Sequence, residues 1–284
     1  MFADAVSSEA FKLRRNVRTS FFAWLFLPLL SLVIGLANEL WIEEAMRTPR
    51  GGPILDFGPF DVGQALVSAM QPSAMSLLIL FCLIGAAVLF AGEYRWETWR
   101  LMTPRNTRLN QLGGKILVYA LASAASYLLF ALASVATGLI GAAADGQQIR
   151  LGLDGEVLLQ ALGRFGVGWA LLLQAGAVAA LAGVATRSIM AALLVPLGLG
   201  IVQSILRAIA GAMAPGEIEW WQPWALPEMS ADLLRAALSG APPLPGMELS
   251  AGLVWTAGLA LAAWIVVGFG GALALFNRQD LSKE

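Results

Sequence analysis

The sequence contains no histidine and a single cysteine, Cys82, set inside an apolar run. A disulfide within the chain is therefore impossible. Histidine-ligated haem, histidine-bearing zinc sites and histidine acid–base catalysis are excluded with it. Cys82 reads as a small buried hydrophobe rather than a reactive thiol. Charge is scarce as well. Only 13% of the 284 residues are Asp, Glu, Lys or Arg, where a soluble domain carries roughly 25%.

Apolar residues fill the gap: 58% of the chain is hydrophobic and the mean hydropathy is +0.72. So much apolar surface must face something other than water. Runs of about eighteen or more mostly apolar residues are the mark of spanning helices. An all-α integral membrane protein with six transmembrane helices is expected, with spans over about 21–41, 73–92, 116–143, 158–184, 189–210 and 250–276. Pro28 should kink the first span. That span has no A-x-A cleavage site and is too long for a signal peptide, so it is expected to stay in the mature protein.

Six spans put both termini on one side, and the distribution of basic residues says which. Twelve Lys/Arg fall in the N-terminal segment, the stretch 92–115, the turn at Arg187 and the C-terminal tail. The three opposite loops hold four, Arg47, Arg50, Arg150 and Arg235, against thirteen acids counted from Glu39. N and C termini are accordingly expected in the cytoplasm, in a multi-pass protein of the cytoplasmic (inner) membrane.

Residues 1–20 precede the membrane. Val6, Ala10, Phe11, Leu13 and Val17 fall roughly along one side of a helix, with Lys12, Arg14, Arg15 and Arg18 on the other. That pattern predicts an amphipathic interfacial helix, or alternatively a basic flank that only sets topology. Residues 21–284 form one membrane domain. In its last outer loop Trp220, Trp221 and Trp224 cluster beside Pro223 and Pro227. Short helices dipping into the membrane edge are expected there, as a candidate outer gate or as an interfacial anchor.

The stretch Gly92–Lys115 carries five of the eighteen Lys/Arg residues between two apolar runs. It reads as a helix ending near Pro104 and a second short one bearing Arg105, Arg108 and Lys115. Glu93, Arg95, Glu97 and Arg100 could form i,i+4 pairs, that of Glu93 with Glu97 being unfavourable unless a cation intervenes. Such an element can receive force from a soluble partner, or act as a basic loop against anionic lipid. It is no nucleotide site: around Gly113–Lys115, Leu109 and Ile116 stand where a phosphate loop needs Gly and Ser/Thr. Within the spans, Arg164 and Arg207 are near enough to the ends to snorkel, and no acid lies at mid-depth. Gln174, Gln203, Ser123, Ser126, Tyr119 and Tyr127 could line a path or bond backbone across helices.

The order Glu93, Thr98, Leu101, Pro104, Arg108, Gly114, Lys115 after the second span resembles the membrane (permease) subunits of type-2 ABC exporters. It departs from that family at Glu97, where glycine is usual, and in Trp96 and Trp99. The basic N-terminus looks like the family's connecting helix, and VATRSIMAALLV (184–195) like its junction of spans four and five. The segment between spans five and six looks like its re-entrant outer region. The resemblance implies that Glu93, Arg95, Glu97, Thr98, Arg100, Pro104, Arg105 and Arg108 form a cytoplasmic coupling helix docked on an ABC ATPase subunit. It further implies a second permease copy, identical or related, and ATP-driven export. ATP and Mg would be held by the partner, with no cofactor, metal or catalytic residue in this chain, and no nucleic acid bound. The alternative is a transporter or channel without an ATPase.

Overall fold

The computed structural model of the chain describes residues 1–47, 58–70, 75–95, 107–213, 217–240 and 249–279, without the side chains of 40–47 and of Arg95. Helix α1 (Phe2–Arg15) ends at Asn16, whose backbone leaves the helical region (φ −89°, ψ 63°). A short turn, α2 (Val17–Ser20), leads into a π-helical turn, Phe21–Leu25, and then α3 (Phe26–Arg47). The N-terminal segment is therefore two helices rather than the single one expected.

The irregularity anticipated at Pro28 falls one turn earlier. Pro28 has no N–H for the Trp24 carbonyl, and the chain accommodates this by widening the preceding turn, so that Phe26 N–H bonds to Phe21. After β1 (Phe60–Asp61) come α4 (Val62–Ala69), α5 (Met75–Arg95) and α6 (Arg108–Ala144). Then follow β2 (Ile149–Arg150), α7 (Gly155–Thr186), α8 (Ile189–Met213), the short α9 (Gln222–Ala225), α10 (Pro227–Ser239) and α11 (Ala251–Arg278).

Six of these helical stretches are long and apolar enough to cross a membrane: Val17–Glu39, Met75–Tyr94, Arg108–Ala144, Gly155–Thr186, Ile189–Met213 and Ala251–Arg278. They match the six expected spans. Two features escaped the sequence reading. Helix α4 lies against α6 and α7, and β1 pairs in parallel with β2 through Phe60–Ile149 and Asp61–Arg150. Side chains close five helix starts among the described residues: Asp61 accepts from Gln64 N–H, Thr107 from Asn110, Asp154 from Val157, Ser188 from Ala191 and Ser250 from Leu253. Each such cap contributes about 1 kcal/mol.

Helix α7 is the centre, touching α4, α5, α6, α8, α10 and α11. Of its most apolar stretch 67% is buried, against 6% for α8, which packs chiefly on α5 and α7. The reason is residue size. Ala175, Gly176, Ala177, Ala179, Ala180 and Gly183 line the buried faces of α7 and let neighbouring backbones close in. Without a hydrophobic drive between helices in lipid, such close van der Waals contact is what holds them.

At Gly268 of α11 an added Cβ would meet the Ala177 backbone, its carbonyl carbon at 2.9 Å. Larger side chains fill the hollows between helices. Trp24, Tyr119, Phe90 and Phe269 form a chain of ring contacts at 5.7, 5.9 and 6.1 Å, and the fully buried Tyr119 hydroxyl donates to Leu172 O at 2.7 Å. Cys82 is fully buried.

Gly268→Leu should lower the thermal unfolding midpoint of the detergent-purified protein, at a cost of about 1–3 kcal/mol. Gly270→Leu, where a Cβ meets nothing within 4 Å, should leave the midpoint nearly unchanged.

Candidate functional site

Helix α1 lies along the start of α6, and Gly114 sets the distance. A Cβ there would stand 3.2 Å from the Ala5 carbonyl carbon and from Val6 N, so only glycine admits the backbone this closely. The Gly-Gly-Lys run is thus a helix-docking element.

The approach carries Glu9 to Lys115. Glu9 accepts from Lys115 Nζ at 2.9 Å and from Lys12 Nζ at 2.6 Å. Glu93, at the end of α5, faces the same two ammonium groups, Lys12 at 2.5 Å and Lys115 at 3.1 Å. Two carboxylates and two ammoniums alternate in a ring of zero formal charge that joins α1, α5 and α6.

The side chains of Lys115 and Glu9 are 2% and 3% exposed, that of Glu93 12%, and only Lys12 reaches the surface at 40%. At such burial each ion is tolerable only because its counter-ions are in contact, and removing one partner costs about 3–5 kcal/mol. Burial pushes the Lys12 ammonium down, but Glu93 and Glu9 outweigh it and hold its pKa above the ordinary value. The group stays charged in the fold to higher pH than in the open chain. Its contribution is therefore complete at neutral pH and is lost only as pH rises through that raised value. A cavity of about 390 Å³ opens beside the ring, walled by Trp24, Gly85 and Leu89.

A second joint lies next to the first. Arg108, on the first turn of α6, donates through Nη1 to the carbonyls of Phe276 and Asn277, each at 3.2 Å, and of Gln279 at 2.5 Å. These are carbonyls at the end of α11, which lack helical partners, and a guanidinium suits them in hydrogen bonding and in dipole. Gln279 in turn donates to Val184 O near the end of α7 at 2.6 Å and accepts from the Tyr94 hydroxyl at 2.8 Å. The N-terminal helix, both edges of the 92–115 stretch and the end of α11 therefore meet at one end of the bundle.

Several expectations change here. The face of α1 toward the bundle carries Ala5, Glu9, Lys12 and Leu13, while Ala10, Phe11 and Val17 are exposed. The apolar side read from the sequence is thus split, with Val6 and Leu13 half-buried and the other three exposed. Glu93 pairs across helices with Lys12 and Lys115. Arg108 and Lys115 lie on the opening turns of the long α6 rather than on a separate short helix. Arg95 ends α5, its side chain outside the described residues; Glu97, Thr98, Arg100, Pro104 and Arg105 also lie outside them. Glu9, Tyr94 and Gln279 were missed, although Glu9 and Lys12 carry a readable i,i+3 charge signal.

At the other end, Trp220 and Trp224 are 77% and 43% exposed, and Trp221 is half-buried. The Trp224 carbonyl accepts from the Trp264 indole at 2.8 Å, and α10 packs on α7 and α11. A cavity of about 470 Å³ opens between α5, α7, α8 and the start of α10, with Ser76, Gln174, Gln203, Ser204 and Glu228 among apolar walls. None of the three tryptophans lines it. Tyr119, Ser123 and Gln203 bond backbone carbonyls. Comparison of the chain with protein-family models and with curated proteins finds no match.

Lys115→Met should cost about 3–5 kcal/mol of stability by leaving two buried carboxylates short of a cation. Combined with Glu9→Gln the loss should be smaller than the sum of the two, by about 0.5–3 kcal/mol, in a double-mutant cycle of unfolding midpoints.

Proposed function

We propose that the chain is the permease subunit of a type-2 ATP-binding cassette exporter, working in the cytoplasmic membrane with a separate ATPase subunit that holds ATP and Mg. The observation that carries this reading is the anchoring of the 92–115 stretch. Glu93 and Lys115 tie its two edges to α1, and Arg108 ties it to the ends of α11 and, through Gln279, α7. A loop with floating ends would absorb a push from a partner. A loop with both edges pinned passes the push to the helices behind it.

In this reading the ATPase docks on residues 96–106 and its closure on ATP moves the loop. The ionic ring and the Arg108 cap then carry the displacement into α1, α5, α6 and α11 together. The thinly packed α8 faces a second permease copy, and the cavity with Gln174 and Gln203 lies beside that seam. Cytoplasmic termini follow from the same arrangement, because ATP is available on that side and the basic residues gather there.

Arg100→Ala together with Arg105→Ala should lower recovery of the ATPase with the tagged chain by roughly tenfold. Glu93→Gln should keep the ATPase bound yet reduce transport per ATP hydrolysed in reconstituted vesicles. Full ATP-dependent transport in both variants would remove the coupling assignment.

A further inference from the structure

Asp232 on α10 serves two arginines at once. Arg207 of α8 bonds it through Nη2 at 2.6 Å, and Arg235 of its own helix through Nη1 at 3.1 Å. A third guanidinium, that of Arg164 on α7, has no carboxylate among the described residues. Its Nη1 reaches only the Val67 carbonyl, at 3.4 Å, beyond the usual range for such a bond. Three cations share one anion. Among the described residues, the Nε of Arg164 and both Nε and Nη2 of Arg235 are buried without a hydrogen-bond partner, and Arg235 is 9% exposed.

The two underserved arginines border one seam. Leu238, one turn beyond Arg235, packs against Gly163, the neighbour of Arg164. Arg164 lies about 13 Å along α7 from its start, in a helix apolar enough to span a membrane. An uncompensated cation at that position is costly. Water would satisfy the donors but not the charge.

We propose that this seam between α7 and α10 holds the phosphate of an anionic phospholipid. A guanidinium offers a planar fork of donors that matches phosphate oxygens in pairs, and the buried, unused donors on Arg164 and Arg235 belong to two such forks. A free anion would have to leave water to reach them. A lipid brings its phosphate there with its chains already in hydrocarbon, and Leu159 and Leu162 on the same stretch of α7, each 68% exposed, offer an apolar flank for those chains.

Native mass spectrometry of the full-length protein in detergent, titrated with phosphatidylglycerol or phosphatidylcholine of the same chains, tests this. The protein should retain phosphatidylglycerol over phosphatidylcholine by about tenfold or more. Arg164→Gln and Arg235→Gln should each abolish the preference, and Arg235→Lys, which keeps the charge but not the fork, should keep part of it. Phosphatidylglycerol should also raise the unfolding midpoint of the native protein but not that of Arg164→Gln. Arg164 makes no ion pair among the described residues, so this variant decides the matter if Arg235→Gln does not fold. Equal retention of the two lipids, or an unchanged preference in the glutamine variants, would overturn the proposal in favour of a water-filled seam. Inorganic phosphate raising the midpoint as much as phosphatidylglycerol would overturn it in favour of a free ion.

Discussion

Three charges taken out of water, with a fourth at the surface, constrain this protein more than an apolar contact can. Glu9, Lys12, Glu93 and Lys115 come from three helices, and each is tolerable only while the others stay in place. An apolar contact can slip by an ångström at small cost. A buried ion that loses its counter-ion cannot, because the low dielectric that strengthens the pair also magnifies the penalty of breaking it. Helix α1 is therefore bound to the bundle by electrostatics, and the α5 and α6 edges of the charged stretch are held at fixed separation. Gly114 eases this approach, since a Cβ there would stand only 3.2 Å from the α1 backbone.

The rest of the bundle follows from what the ring does not supply. Beyond that end, cohesion rests on the small-residue faces of α7 and on polar tips that bond carbonyls across helices, as Tyr119 does to Leu172 and Trp169 to Ala120. Helix α8 shares little of this and exposes Met190, Leu194, Ile201 and Ile205. The two ends of the bundle are opposites electrostatically. One is a closed neutral ring; the other sets two arginines on one aspartate and leaves a third, Arg164, on a backbone carbonyl. A neutral, paired joint holds its helix ends together without needing a ligand. A cationic seam with idle donors is suited to holding one.

The six spans were readable because length and apolarity are properties of consecutive residues, and a membrane helix satisfies its backbone within itself. Arg187 in a tight turn (φ 56°) and the burial of Cys82 were also readable. The reading of α1 named an apolar side but not the face that docks on the bundle. The bundle takes up Glu9 and Lys12 because two more charges wait there from residues about 80 and 100 positions away. The Gly-Gly-Lys run could be excluded as a phosphate loop, but its use as a docking surface depends on a helix far from it in the chain.

The sequence by itself determined that the chain is helical, multi-pass and rich in one charged interruption, since composition and local periodicity suffice for each of these. Only the tertiary structure decided which charges neutralise one another. Ion pairing depends on which helix ends meet, and those meetings are set by small-residue contacts such as Gly114 with Ala5 and Gly268 with Ala177, whose partners are distant in sequence. The charged stretch at 92–115 therefore gained its pinned edges, at Glu93, Arg108 and Lys115, from the fold. Its charge alone implied only that it lies outside the hydrocarbon.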